Sequence, residues 1–261
     1  MSGELTPLEL TPWERLRAYT DARIALGRAG TSLPTAELLR FAQAHALARD
    51  AVLAQADFSG LVTPHTLNVR SQAAHRSEYL RRPDLGRRLH PESAALLRAA
   101  RTDSPPDVLV VVSDGLSAVA AQQHAQSVMD VLLPGLEALG LSVAPLLLAT
   151  QARVALADEA AELLGVKLVI HLIGERPGLS SPDSLGAYLT YIAGLTYAPG
   201  HGILDSARNC VSNIRPAGLD AGVAARRLLY LTAEAVRRQL SGVELKDESV
   251  EVGETLELES G

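Results

Sequence analysis

The densest group of chemically capable side chains lies late in the chain. Asp205-Ser206-Ala207-Arg208-Asn209-Cys210-Val211-Ser212-Asn213-Ile214-Arg215 puts acid, guanidinium, amide, hydroxyl and thiol groups into eleven residues ahead of a helix. That density of donors and acceptors suits a ligand edged with carboxamides and a phosphate. Cys210 is the single cysteine. No histidine and orienting acid stand near it in the spacing of a thiol nucleophile, and a lone cysteine serves equally well as a small buried apolar group. Glu175-Arg176-Pro177-Gly178-Leu179 sets two opposite charges beside two backbone breakers, either as a functional loop or as a salt-bridged turn. Asp114-Gly115-Leu116-Ser117 sits where a phosphate loop would sit but matches neither GxGxxG nor GxxxxGK[ST]. It reads also as a plain turn, with Ser117 as a helix N-cap and Gly115 permitting close backbone approach.

The seven histidines, His45, His65, His75, His90, His124, His171 and His201, contain no i,i+4 pair and no zinc spacing, so no metal site is expected. Arg81-Arg82 and Arg87-Arg88 form a short basic patch better suited to a solvated face or a subunit contact than to nucleic acid.

These groups need elements to hold them. Val108 to Val112 is an all-apolar run, followed by the Ser113 to Ser117 turn and a helical pattern through about Ala138. Val143 to Leu148, a helix from Arg153 to Leu164, and a strand from Val166 to Ile173 repeat the unit. Strand, tight turn and helix in repetition predict a parallel sheet with right-handed crossovers. Ala187 to Ala193 is a further candidate strand and Ala221 to Leu240 a final amphipathic helix. In such sheets ligands bind beyond the carboxyl ends of the strands. That directs attention to the loops Asp114 to Ser117, Ala149 to Val154 and Glu175 to Ser184.

Upstream, Thr11-Pro12-Trp13-Glu14 is a strong helix start, and Trp13, Leu16, Tyr19 and Ile24 mark one helical face. A second helix is capped by Thr35 and runs to about Asp57, with Leu38, Leu39, Ala42, Ala46 and Val52 at helical spacing. Two short helices follow, near Ser71 to Arg82 and Pro91 to Ala100. The aperiodic, proline-containing run Arg101 to Asp107 is the natural boundary. The predicted organisation is therefore an α/β chain: a helical N-terminal region over 1–103, a Rossmann-like parallel sheet flanked by helices over 107–243, and an acidic, flexible tail over 244–261.

Composition narrows the function classes. The chain has 261 residues, 47% of them hydrophobic and only 3% aromatic, with a formal net charge of −6. This is enough chain to bury a core without metals or disulfides. The absence of a clustered Lys/Arg excess argues against nucleic acid. One cysteine permits no intrachain disulfide and fits a reducing compartment. Residues 1–13 lack the basic start and apolar run of a signal peptide, and no apolar stretch approaches the roughly 20 residues that span a bilayer.

Four segments, in order, carry a family resemblance: Thr20 to Arg28, Ser113-Asp114-Gly115-Leu116-Ser117-Ala118, Gly174-Glu175-Arg176-Pro177-Gly178-Leu179, and Arg208 to Arg215. Together they resemble the small (light) subunit of ethanolamine ammonia-lyase, from about Trp13 to Leu245. The resemblance implies a separate large subunit, a TIM barrel, that holds ethanolamine and the acid/base residues. Adenosylcobalamin (coenzyme B12) would lie between the two chains, and homolysis of its cobalt–carbon bond would start conversion of ethanolamine to acetaldehyde and ammonia. It further implies three cofactor-binding positions here, the Val154 amide, Glu175 and Cys210, and no catalytic residue. The Asp-x-His-x-x-Gly cobalamin motif is absent, which implies that the cofactor keeps its own dimethylbenzimidazole on cobalt. The implied location is the cytoplasm, free or inside a bacterial microcompartment. Two other classes fit the elements alone: a stand-alone nucleotide-binding α/β protein, and a structural or targeting subunit without cofactor contacts.

Overall fold

The computed structural model describes residues 12–20, 22–61, 65–195 and 203–249. Thr11, Asp21, His201 and the end of the acidic tail lie outside the described residues. The centre is a six-stranded sheet in the order β1-β3-β2-β4-β5-β6. Its strands are β1 (Thr66–Arg70), β2 (Val108–Ser113), β3 (Leu146–Thr150), β4 (Leu168–Gly174), β5 (Leu185–Tyr191) and β6 (Arg208–Ile214).

The first four strands pair in parallel, as the βα repetition predicts. β5 then returns antiparallel to β4, and β6 antiparallel to β5, so the sheet is mixed. The helices flank it as expected of an α/β chain. α6 (Ala118–Ala138) and α8 (Ala221–Arg238) cover one face, and α5 (Pro91–Ala100) and α7 (Leu156–Leu164) cover the other. Alternation along β2 feeds both sides. Val108, Val110 and Val112 pack under α6, while Leu109 and Val111 pack under α7. A strand buried on both faces must be apolar throughout, which is why Val108–Val112 reads so clearly.

Several elements differ from the sequence expectations. β1 lies in the stretch read as helical; it is a short edge strand with only Val69 buried, so its pattern is weak. β6 falls in the polar run ahead of the last helix, to which no strand was assigned, because its outward residues Cys210 and Ser212 are exposed and hide the period-two signal. β3 starts at Leu146, since Val143 makes only an isolated bridge with Val108. α7 starts at Leu156, and residues 153–155 form the turn before it. α1 (Pro12–Leu16) ends after five residues in a 3-10 turn, so Trp13 and Tyr19 are exposed rather than aligned on a buried face. α2 (Thr35–Leu53) has Pro34 at its N-cap, with Thr35 as the first helical residue. The short helices α3 (Arg76–Arg81) and α4 (Pro83–Gly86) fill the interval before α5. Among the described residues no helix is long and apolar enough to cross a membrane.

Two buried polar groups fix the sheet's far side. On α7, Asp158 accepts from the Arg208 guanidinium at 2.7 and 2.6 Å, and Arg208 also donates to Thr190 Oγ1 and the Ile203 carbonyl. This bidentate pair ties α7 to β6 across β5. His171, in the middle of β4, is fully buried, with Nε2 2.7 Å from Ser113 Oγ and Nδ1 3.4 Å from the Val154 carbonyl. A neutral ring that donates from Nδ1 to Val154 and accepts from the Ser113 hydroxyl satisfies both nitrogens.

Removing one member of a buried ion pair leaves an uncompensated charge. Asp158→Ala is expected to destabilise the chain by about 3–5 kcal/mol in urea unfolding, and Asp158→Leu combined with Arg208→Leu by less than the single change. For His171, burial pushes the imidazole pKa down to about 3. The unfolded chain therefore takes up a proton at about pH 6.5 that the folded chain refuses. The stability this group contributes is complete above that pH and falls as pH drops toward 3, by up to about 1.4 kcal/mol per pH unit. His171→Leu should lose measurably less stability than the parent chain between pH 7 and pH 5.

Candidate functional site

In a doubly wound sheet the usual crevice opens where the crossovers diverge, here between the carboxyl ends of β2 and β4. That crevice is closed. The Leu116 amide donates to the Gly174 carbonyl at 2.8 Å. A Cβ on Gly115, whose φ is +51°, would lie 2.2 Å from that same carbonyl oxygen, and one on Gly174 would lie 1.9 Å from the Ser117 carbonyl oxygen. Ser117 caps α6 by accepting from the Ala120 amide, and its hydroxyl donates to the Pro182 carbonyl. The loop after β4 thus sits on the helix start where a phosphate would bind. The N-cap expectation for Ser117 holds.

The open polar surface lies beside this crevice, on the α7 face of the sheet beyond β4. Register sets its layout: His171 pairs with Tyr188, and Tyr188 with Cys210. Side chains at these positions share one face of the sheet. Tyr188 is half-buried, and Cys210 and Ser212 are exposed. The shelf is walled by the turn before α7 on one side and the loop after β4 on the other.

Glu175 forms the second wall. Its carboxylate accepts from Ser212 Oγ at 2.7 Å, from the Asn213 amide at 3.2 Å and from the Ser184 hydroxyl. Of the two readings of this loop, the salt-bridged turn with Arg176 does not form; the charge instead clamps the loop to β6. Gly186 makes this possible, since a Cβ there would lie 2.9 Å from Glu175 Oε1. A carboxylate offers about four acceptor directions, so one remains for a ligand.

The first wall is a segment whose backbone is almost fully engaged. The Ala152 amide donates to Asp114 Oδ1 at 3.2 Å, and the Ala152 carbonyl accepts from the buried Tyr79 hydroxyl at 3.0 Å. The Arg153 amide donates to the Gly86 carbonyl, and the Val154 carbonyl accepts from the Ala157 amide and faces His171. Arg153 stacks over the Tyr79 ring with its guanidinium carbon 4.5 Å from the centroid. Asp114 is in turn held by Arg76, whose guanidinium also reaches the Gly115 and Val52 carbonyls. Among the described residues nothing accepts from the Val154 amide.

Val154, Glu175 and Cys210, 56 residues apart from first to last in the chain, therefore border one surface. Three residues on or beneath that surface had no signal of their own: Tyr188 on it, and the buried Gly186 and His171 below. The alternation Gly186, Tyr188, Thr190 against Leu185, Ala187, Leu189 contained the information once the strand is started at Leu185.

Electrostatically the shelf is quiet. Burial pushes the Tyr188 phenol up to about 12, and the neighbouring thiol adds to that shift. Burial and the Glu175 charge raise the Cys210 thiol, against the opposing pull of a hydrogen bond from Tyr188. Cys210 is exposed, and these influences together favour its neutral thiol. With His171 uncharged and both its nitrogens engaged, the surface offers an amide donor, a phenol, a thiol and one carboxylate. Such a set recognises amide and hydroxyl edges; it holds no proton poised for transfer near neutral pH.

The comparisons agree with one another. Residues 10–246 match the family model described as ethanolamine ammonia-lyase light chain (EutC). An ethanolamine ammonia-lyase small subunit from Azotobacter vinelandii is 53% identical over 261 residues, covering 95% of this chain and 92% of that protein. Proteins of the same name from Pseudomonas putida and Ralstonia nicotianae are each 52% identical over 252 residues, covering 94% and 93% of this chain and 90% and 91% of their own lengths. The chain belongs to the ethanolamine ammonia-lyase light chain family.

Proposed function

We propose that this chain, as the small subunit of ethanolamine ammonia-lyase, supports adenosylcobalamin against the large subunit, and that the acid/base chemistry on ethanolamine resides in that partner. The observation that carries this reading is the free Val154 amide. With the Ala155 amide it is an unpaired donor of a segment whose neighbouring groups are engaged by Asp114, Tyr79, Gly86 and His171.

The residues present fit such a group. A corrin rim is edged with neutral carboxamides, which both donate and accept. Val154 supplies a donor, Glu175 an acceptor, and the missing side chain at Gly186 gives the carboxylate room to lie along the sheet. Cys210 lines the shelf as a neutral thiol. When bound, the cofactor supplies a cobalt–carbon bond that cleaves homolytically. This chain's own contribution is to orient and shield: the Asp114, Tyr79 and Gly86 contacts hold the Val154 turn, and Ser212 and Asn213 hold Glu175. The closed Gly115–Gly174 crevice speaks against a stand-alone nucleotide-binding protein, since the α6 amides that would take a phosphate lie under Pro182.

The test mixes this chain with the large subunit and cyanocobalamin and follows retained cofactor and complex formation by gel filtration. Retention only with both chains present is the expected result; dinucleotide binding by the isolated chain would overturn it. Glu175→Ala should weaken retention about tenfold or more, the scale of a hydrogen bond to a charged group, and Cys210→Ala should weaken it less. A complex that forms normally and retains cobalamin equally well with both changes would leave a structural subunit and remove these residues from the site.

A further inference from the structure

We infer that Tyr188 is a further ligand-contacting residue of the shelf, its hydroxyl placed beside Cys210 to donate to an oxygen acceptor of the ligand. This rests on the proposal that the shelf is the cofactor surface, and it adds a group that neither the motifs nor the resemblance pointed to.

Position comes first. Tyr188 is the middle residue of the cross-strand row that runs from His171 to Cys210. Its neighbours Ala187 and Leu189 point into the opposite core, so alternation directs Tyr188 onto the shelf. It lies between the Val154 turn, which His171 touches, and the Glu175 wall, which Ser212 touches.

Partnering comes second. A half-buried tyrosine hydroxyl ordinarily finds a good acceptor. None of the good acceptors nearby takes it. His171 takes Ser113 at Nε2 and faces the Val154 carbonyl at Nδ1, and Glu175 takes three donors from Ser184, Ser212 and Asn213. The group paired across from it on β6 is the Cys210 thiol, a weak acceptor at best. A phenol with a raised pKa stays protonated and able to donate. The phenol of the shelf thus faces only a weak acceptor, and an amide or phosphate oxygen brought to the shelf offers it a better one.

The test uses the two-chain complex with cyanocobalamin as probe. Tyr188→Phe keeps the ring and deletes only the hydroxyl. The dissociation constant from equilibrium dialysis should rise about five- to tenfold, the value of one exchanged hydrogen bond, with complex mass and melting temperature unchanged. Glu175→Ala is run in parallel. Unchanged affinity in Tyr188→Phe alongside weakened affinity in Glu175→Ala overturns the role of Tyr188 and leaves the shelf standing. Unchanged affinity in both removes the shelf reading itself, and the inference with it.

Discussion

The contact between the β2 and β4 loops governs how this molecule can use its sheet. With Gly115 and Gly174 lacking side chains, the Leu116 amide bonds directly to the Gly174 carbonyl. The place where most doubly wound sheets receive a ligand becomes solid protein. Closing it moves the polar surface sideways, onto the face of β4, β5 and β6 past the end of α7. The antiparallel return of β5 then becomes essential: it lays Gly186 beside the end of β4 and Tyr188 beside His171, and β6 brings Cys210 and Ser212 alongside. A fully parallel continuation would send the chain back through another helix and cover that face.

How much of this was readable from the residues depended on burial. β2 and β4, apolar on both faces, and α6, with Ser117 at its start and Ala138 at its end, stand in the sequence almost as they stand in space. The apolar patterns of α5, α7 and α8 were also clear to within a few residues. β1 and β6 escaped because each lies at an edge, where only one side carries apolar residues. In β6 that signal is further diluted by the polar groups that form the shelf. A surface built for recognition erases the periodicity that would announce the strand bearing it.

The site shows the same division. The types of residue at Glu175 and Cys210 signalled recognition chemistry locally, and motif resemblance selected them together with Val154. Their convergence rests on pairing register and on a missing Cβ at Gly186, neither of which spacing along the chain expresses. His171 is the sharpest example. As one of seven histidines without a metal pattern it was one more satisfied side chain, and satisfied it is; but the groups that satisfy it are Ser113 at the closed crevice and the Val154 turn at the open shelf, so it joins the two features that define the molecule.

Arg76 joins another two. Its Nε holds the Val52 carbonyl near the end of α2, while its Nη1 holds Asp114 and the Gly115 carbonyl. Of the 19 residues of α2 only Ala51 is buried, and Leu38, Leu39 and Phe41 are exposed. α2 is a rod about 28 Å long, at 1.5 Å per residue, held near its C-terminal end by Arg76. Its N-terminal half is held separately, by the Arg17–Glu37 ion pair and by the Arg23 guanidinium over the Phe41 ring. Arg76 also grips the carboxylate that steadies Ala152, so the end of α2 and the turn before α7 share one anchor.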